Sequence, residues 1–243
     1  MVHTLAPWTS RYKLTKIFSN IDNAELAARL GSPNLFDRRG SIVFMDDFEA
    51  TPFNWAVYSS GGAGGAAVLS NTKSFTGSQS VKMTTPNSSA EFVRIHKNLQ
   101  RPIDGRMGLE FTFQPNSEID YYRITMMLYE TTIYYASSMQ IDVANEKLQY
   151  TDSAGAWQDA ATGVKLRTES TIWYTWKYVI DLSTHNYVRS MLGKNETDLS
   201  TYSLASAGYA GNPYLYASFL VYNGRNANDI IYIDNCIITQ EEP

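Results

Sequence analysis

Residues 172–181 read IWYTWKYVID, a stretch in which side chains of two kinds alternate. In an extended strand, successive side chains point to opposite faces of the sheet. One face would carry Ile172, Tyr174, Trp176, Tyr178 and Ile180, and the other Trp173, Thr175, Lys177, Val179 and Asp181. Aromatic and β-branched residues favour pleated sheet surfaces. The stretch therefore predicts a β-strand with one packed face and one partly solvated face.

The same period of two recurs along the chain from Ser41 onward. Further runs of this kind cover 42–48, 80–85, 106–113, 121–129, 132–143, 185–192, 214–222 and 229–239. Gly193-Lys194 predicts a two-residue hairpin turn after the run 185–192, and Ala144-Asn145 predicts a turn after 132–143. If so many antiparallel strands formed one open sheet, that sheet would curl or split into two packed sheets. We therefore predict an all-β domain over 41–243, built as a two-sheet antiparallel β-sandwich.

Residues 1–40 differ from this pattern and form a separate N-terminal arm. Asp22 and Glu25 have capping-box spacing, and helix formers follow until Gly31. Apolar residues recur at helical spacing just before them: Leu14, Ile17, Phe18 and Ile21. The arm is therefore predicted to be short and partly helical, with an apolar stripe that needs a partner surface.

The composition excludes several classes of protein. With 243 residues, 44% hydrophobic and 18% charged, the chain can bury a large core. A single cysteine, Cys236, excludes an internal disulfide framework, and no apolar run is long enough for a transmembrane helix. Residues 1–40 hold six basic and three acidic side chains (+3), which leaves 14 and 21 (−7) for the rest. An excess of three charges is too small to indicate nucleic-acid binding.

The first residues, Met1 to Pro7, lack the basic start and the long apolar stretch of a secretory signal. We therefore expect synthesis in a cytosol. His3, His96 and His185 lie too far apart for metal-ligand spacing, so they do not indicate a zinc site.

Carboxylates near the first and last strands suggest a different metal. Glu49 follows the first run, and Asp234 lies in the last. If these strands are neighbours, the two carboxylates can meet, and Asp47 points to the same side as Glu49. Oxygen ligands of this kind suit one structural calcium ion, which would also take backbone carbonyls from residues 74–79. The alternative is that Asp47, Glu49 and Asp234 are hydrogen-bonded acids at strand ends.

Several segments together resemble a known family. They are Asp47-Phe48-Glu49, residues 75–82 (FTGSQSVK), residues 173–181 and residues 231–237 (IYIDNCI). Their order resembles the concanavalin A-like jelly roll of carbohydrate-binding modules and laminin-G-like domains. The resemblance covers residues 41–240 and implies a jelly-roll β-sandwich, with the family's structural calcium held by Glu49 and Asp234. It does not decide function, because this superfold carries lectins, glucanases and virion coat proteins.

The resemblance also bears on catalysis. Glucanases of this fold carry Glu-x-Asp-x-Glu or Glu-x-Asp-x-x-Glu on one strand. In this chain, Glu118 and Asp120 match the first two carboxylates of these patterns. The third carboxylate would fall at Tyr122 or Arg123, and neither residue is acidic. Without that carboxylate, glycoside hydrolysis lacks its acid and base pair. We therefore predict no catalytic residues and a protein that is not an enzyme.

Two functions remain open. The first is a virion structural protein, a capsid decoration or auxiliary protein that docks on a capsid or other virion protein through Leu14, Ile17, Phe18 and Ile21. Under this hypothesis the protein is a homo-oligomer on the virion surface. A sandwich protein made in the cytosol without a secretion signal would reach the exterior when the host cell lyses. The alternative is an extracellular carbohydrate-binding module. Its concave sheet would bind glycan through Tyr121, Arg123, Tyr134, Gln140, Tyr214 and Tyr216. A glycoside hydrolase ranks third.

Overall fold

The computed structural model describes residues 40–101, 104–169 and 171–243. Apart from Gly40, the predicted arm lies outside these residues, and with it the helix and the docking residues Leu14, Ile17, Phe18 and Ile21. Docking on a virion protein and oligomerisation through the arm therefore stay predictions. Within the described ranges, all regular structure is β-strand, and no helix has the length and hydropathy needed to cross a bilayer.

Sixteen strands make up the described part of the chain. In chain order they are β1 (Ser41–Asp46), β2 (Ala56–Ser59), β3 (Ala66–Ser70), β4 (Ser80–Thr84), β5 (Phe92–Leu99), β6 (Arg106–Gln114), β7 (Ile119–Tyr129), β8 (Ile133–Asp142), β9 (Lys147–Thr151), β10 (Trp157–Thr162), β11 (Tyr174–Asp181), β12 (Asn186–Leu192), β13 (Asn195–Asp198), β14 (Ala205–Gly208), β15 (Tyr214–Asn223) and β16 (Ile230–Gln240). The predicted runs coincide with β1, β4, β6, β7, β8, β11, β12, β15 and β16 to within about two residues.

These strands form two antiparallel sheets. The first sheet has the order β13-β12-β11-β6-β16-β4-β3, with β1 beside β16. The second has the order β10-β9-β8-β7-β15-β5-β2, with β14 beside β8. The chain therefore crosses repeatedly between the sheets, and the predicted all-β, two-sheet antiparallel architecture is confirmed.

The core lies between the sheets and is rich in aromatic rings. Phe113 of the first sheet contacts Tyr122 and Phe219 of the second, with ring centroids 4.8 and 5.6 Å apart. Phe111 and Phe219 form a further edge contact at 5.3 Å. All four side chains are fully buried. Such edge and tilted pairs stabilise a core beyond the burial of their area, so the many aromatics serve the fold first.

The two predicted hairpin turns differ in their outcome. Gly193, at φ +59°, and Lys194 join β12 to β13 as the predicted two-residue turn. The turn between β8 and β9 is wider and occupies residues 143–146. The Asp142 carboxylate accepts hydrogen bonds from N and Nδ2 of Asn145, at 3.0 and 2.8 Å, which stabilises the longer loop.

The second face of β11 is buried, whereas the alternation predicted a partly solvated one. Lys177 is only 1% exposed and Val179 is fully buried. Nζ of Lys177 donates to Oε1 of Glu242 at 2.6 Å, and Nη2 of Arg189 donates to Oε2 at 2.7 Å. The residues after β16 thus return to this face, and a carboxylate from a distant part of the sequence neutralises the buried lysine.

Candidate functional site

The outer face of the second sheet carries a continuous polar and aromatic surface. Strand alternation on β7 buries Tyr122 and Ile124 against the core and turns Tyr121 and Arg123 outward. The same alternation applies to β8 and β15. All six residues predicted to bind glycan lie on this outer face: Tyr121, Arg123, Tyr134, Gln140, Tyr214 and Tyr216.

One line of paired residues crosses the whole sheet, and we call it the central row. From β2 to β10 it comprises Tyr58, Arg94, Leu220, Arg123, Gln140, Gln149 and Asp159. Seven neighbouring strands give six interstrand spacings, so the row is about 29 Å long. Only Arg123 and Gln140 of this row were predicted.

Hydrogen bonds connect one half of the central row. Nη2 of Arg123 donates to Oε1 of Gln140 at 2.9 Å, and Nε2 of Gln140 donates to Oε1 of Gln149 at 2.7 Å. Nε2 of Gln149 then donates to Oδ1 of Asp159 at 2.8 Å. Lys147 completes the series with a bond of 2.7 Å to Oδ2 of Asp159. Each planar group is therefore held in one orientation by its neighbour.

Aromatic rings flank this hydrogen-bonded half. The Arg123 guanidinium carbon lies 4.5 Å from the ring centroid of Trp157 and 4.9 Å from that of Tyr222. Tyr222 also contacts Phe92 at 5.1 Å and Tyr121 at 6.0 Å. Trp157 lies on the edge strand β10, where its ring is partly accessible. Together these rings form an aromatic surface beside the polar groups.

The other half of the face centres on Arg94. Its guanidinium carbon lies 5.1 Å from the ring of Tyr58 and 5.9 Å from that of Tyr216. His96 stacks on Tyr216 at 5.3 Å. Burial lowers the pKa of His96, and the charge of Arg94 lowers it further, so this imidazole is neutral at pH 7.

Besides Nε of Arg94, two buried polar atoms in this half have no hydrogen-bond partner within the described residues. They are Nδ1 of His96 and the hydroxyl of Tyr216. Ser218 lies beside the Tyr216 hydroxyl without completing a hydrogen bond to it. Burial raises the pKa of Tyr216, so it remains a neutral hydroxyl. A cavity of about 380 Å³ adjoins His96 and is lined by Asn54, Ala56, His96, Lys97 and Asn98.

The predicted residues Tyr134 and Tyr214 lie apart from Arg123 in a separate tyrosine cluster. Tyr129 stacks on Tyr214 at 4.3 Å, contacts the tilted ring of Tyr134 at 5.4 Å, and meets the edge of Tyr209 at 4.8 Å. Six residues along β7 separate Tyr129 from Arg123, a distance of about 20 Å. The six predicted residues therefore share a face without forming one compact site.

Two carboxylates on this face were not recognised as a pair from the sequence. Burial raises the pKa of Asp120, and the nearby charge of Asp142 raises it further. Asp142 lies opposite Tyr121 in the β7–β8 register. The two acids come from different strands, so no spacing along the chain indicates that they meet.

The predicted calcium ligands Glu49 and Asp234 hold one loop. Oε1 of Glu49 accepts from the backbone N–H groups of Ser78 and Gln79, each at 2.7 Å. Oδ2 of Asp234 accepts from Phe75 N at 2.7 Å and from Thr76 N at 2.9 Å. The loop thus presents N–H groups to both carboxylates, where the prediction had it supply carbonyl oxygens.

Asp234 retains one atom suited to a cation. Its Oδ1 is buried and has no hydrogen-bond partner among the described residues. Burial is the main reason that its pKa rises to about 6, and the negative charge of Glu49 adds a smaller contribution. Asp47 is exposed, and its Oδ1 accepts from the N–H of Glu49 at 3.2 Å. In the described part of the chain, no three metal-ligating side chains form a group, so the structure does not bring Asp47 into a set with the other two.

Comparison with known proteins identifies the fold. No protein-family model and no curated protein sequence matches the chain. The endo-β-1,4-glucuronan lyase of the fungus Trichoderma reesei is similar in structure, with a TM-score of 0.53 and 11% identity, over 82% of this chain and 96% of the lyase. The carbohydrate recognition domain of Emp47p gives 0.52 and 12% over 83% and 97%. The cellulose-induced protein Cip1 gives 0.51 and 15% over 81% and 96%.

The fold is a concanavalin A-like jelly roll. This confirms the resemblance found in the sequence. The chain spans nearly the full length of these three structures, so the jelly roll matches them as a whole domain.

Proposed function

We propose that this jelly roll binds a carbohydrate chain on the outer face of its second sheet. The observation that carries the proposal is the central row, which aligns planar polar groups beside aromatic rings for about 29 Å. A sugar ring offers an apolar face for aromatic stacking and hydroxyls for planar hydrogen-bonding groups. The row is long enough to hold several sugar units in succession.

The orientation of the polar groups supports the same proposal. Arg123, Gln140 and Gln149 are linked by hydrogen bonds, so a ligand does not have to order each side chain separately. Trp157 lies beside Arg123 and supplies the largest ring of this half. Two of the similar structures are a glucuronan lyase and a carbohydrate recognition domain by name, and a glycan on this face is consistent with them.

We propose binding without hydrolysis. Asp142 lies opposite Tyr121 in the β7–β8 register, and Asp120 precedes Tyr121 along β7, so both carboxylates lie on the same side of the central row. Hydrolysis needs an acid and a base on opposite sides of the scissile bond, roughly 5 to 9 Å apart. Incubation with the bound polysaccharide should release no new reducing ends, and their release at a steady rate would contradict this part of the proposal.

A structural calcium ion is part of the proposal. The unpaired Oδ1 of Asp234 and the neighbouring Glu49 would hold it. The ion would neutralise two carboxylates at the junction of the first and last strands. The prediction of a virion structural protein stays open beside these proposals, since its docking arm lies outside the described residues.

Binding is tested with immobilised polysaccharides and the variant Trp157→Ala. We expect the wild-type domain to be retained by at least one polysaccharide and the variant to bind about tenfold more weakly, since an aromatic stacking contact is worth about 1 kcal/mol or more. Trp173→Ala is the matched control, because Trp173 contacts Phe75 at 5.9 Å near the first sheet. Equal weakening by both variants, or no retention on any polysaccharide, would overturn the proposal.

A further inference from the structure

Two arginines of the central row, Arg94 and Arg123, lack a counter-ion. Arg94 lies between the rings of Tyr58 and Tyr216, and Arg123 lies against Trp157 and Tyr222. Within the described residues, no carboxylate is within 4 Å of either guanidinium. Both side chains are half-buried.

Most other arginines of the domain are paired with a carboxylate, whereas Arg167 is exposed in a loop. Arg101 lies 2.7 Å from Glu130, Arg106 lies 3.4 Å from Asp181, and Arg225 lies 2.5 Å from Asp229. Residues 41–243 carry an excess of acidic side chains, 21 against 14 basic ones, which favours such pairs. Carboxylates are thus plentiful, and the central row positions two guanidiniums away from them.

Burying these two charges without a counter-ion costs free energy, and an anionic ligand can offset this cost. A partly buried charge without a counter-ion is disfavoured, because it has lost water without gaining an opposite charge. Burial lowers the pKa of Arg123 for this reason. Nε of both Arg94 and Arg123 is also buried without a hydrogen-bond partner among the described residues. The aromatic rings hold both side chains in place in spite of this cost.

The two guanidiniums are arranged for one extended ligand. Arg123 and Arg94 both pair with Leu220, one on each side of it, so their Cα atoms lie about 10 Å apart. Leu220 is 5% exposed and forms an apolar surface between the two arginines. His96 is neutral and adds no positive charge. A chain lying along the row would therefore meet two separate cations with an apolar contact between them.

We propose that the outer face of the second sheet binds an acidic polysaccharide whose sugars carry carboxylates, with Arg94 and Arg123 as the groups that recognise those carboxylates. This rests on the proposed function and names its ligand class. A planar guanidinium matches a carboxylate in a bidentate pair, and aromatic packing on its faces leaves the edge free for that contact. A neutral polysaccharide would leave both arginines without a counter-ion.

The test compares ligands that share a backbone and differ in charge. Isothermal titration calorimetry with polygalacturonate, a linear polyuronate, is set against the same polymer fully methyl-esterified. We expect binding to polygalacturonate that weakens at high ionic strength, and binding to the ester that is at least about tenfold weaker. Equal affinity for both would overturn the inference, and so would tighter binding to the ester.

Sulfated sugars are a second source of negative charge. Dextran sulfate and uncharged dextran separate the two sources, since a carboxylate-specific face should prefer polygalacturonate to dextran sulfate. Dextran sulfate bound as tightly as polygalacturonate would show charge attraction alone and would overturn the role of carboxylates.

Variants assign the effect to the two arginines. Arg94→Gln and Arg123→Gln should each weaken binding of polygalacturonate by about tenfold and reduce its salt dependence by about half. Arg167→Gln is the matched control, because Arg167 is exposed in the loop between β10 and β11 and should change binding little. Circular dichroism and thermal unfolding verify that each variant is folded. Unchanged affinity in both row variants would overturn the inference.

The outcome also separates the inference from the proposed function. Retention on neutral polysaccharides, with Trp157-dependent affinity but no preference for polyuronate, would overturn the inference and leave glycan binding intact. Retention on neither neutral nor acidic polysaccharides would overturn both.

Discussion

Asp234 on the last strand and Glu49 just after the first strand hold the same loop. Asp234 accepts hydrogen bonds from the backbone of Phe75 and Thr76, and Glu49 accepts one from Ser78 at 2.7 Å. The segment after the first strand and the last strand are thus both bonded to the loop of residues 75–79. Because both carboxylates are charged at neutral pH, this junction is where we expect protons and the proposed calcium ion to act.

The first prediction concerns Asp234 and pH. Its folded-state pKa of about 6 lies above the unfolded value of about 3.9. The folded state therefore binds the proton more tightly, and the stability from this proton is fully present below about pH 4 and is lost as the pH rises through 6. Measured by urea unfolding in a chelator, the wild type should lose roughly 2 kcal/mol relative to Asp234→Asn between pH 4 and pH 7.5. A constant difference between the two proteins would contradict this.

The second prediction concerns calcium. If Glu49 and Asp234 hold the ion, then calcium at a hundredfold excess over its Kd should raise the free energy of unfolding at pH 7.5 by about 2.7 kcal/mol. Asp234→Asn should lose this response. Asp47→Asn should keep it, because Asp47 is exposed and caps a local turn. Differential scanning calorimetry with calcium and with a chelator gives the measurement, and identical melting curves for the wild type would contradict a calcium site.

The third prediction compares two buried tyrosine hydroxyls. The Tyr216 hydroxyl has no hydrogen-bond partner among the described residues, whereas Tyr187 accepts from Ser138 N and donates to Thr151 O, each at 3.0 Å. Tyr216→Phe should therefore leave the free energy of unfolding unchanged or raise it by about 1 kcal/mol, and Tyr187→Phe should lower it by about 1 to 3 kcal/mol. Urea unfolding of the two variants checks this. A loss in Tyr216→Phe as large as in Tyr187→Phe would contradict it.

The fourth prediction concerns the buried carboxylate of Glu242. It is shared by Lys177 and Arg189 at 2.6 and 2.7 Å, and its side chain is fully buried. Glu242→Gln removes the charge that faces both cations, so we expect a loss of about 3 kcal/mol in the free energy of unfolding. Glu241→Gln is the control, since Glu241 forms an exposed hydrogen bond with Ser41 and should cost well under about 1 kcal/mol. Chemical unfolding of both variants decides, and equal losses would contradict the prediction.

Much of the fold was predictable because its signals are local. The alternation in residues 172–181 marks β11, and Gly193-Lys194 marks the turn after β12, since positive φ at Gly193 suits a tight hairpin. The outward direction of Tyr121 and Arg123 followed from the same alternation along β7. Short strands with weaker alternation, such as β2 and β14, were not predicted.

The candidate site was predictable only in part, because it depends on register between strands. Arg94 and His96 alternate with the buried Val93 and Ile95 along β5, a signal that marks them as outward-facing. Nothing in that signal places Arg94 in line with Arg123, which lies on a strand two positions away in the sheet.

By itself, the sequence determined an all-β sandwich, the direction of most side chains along each strand, and the residues at the two ends of the Glu49–Asp234 junction. These follow from periodicity and from turn residues, which act over a few neighbours in the chain. Only the tertiary structure decided that Arg94 and Arg123 share one row without a counter-ion, and that Lys177 is buried against Glu242. Those relationships join residues about 30 and 65 positions apart along the chain. The order of the strands in the second sheet and the path of the chain after β16 bring them together, and the local conformational preferences of the residues do not.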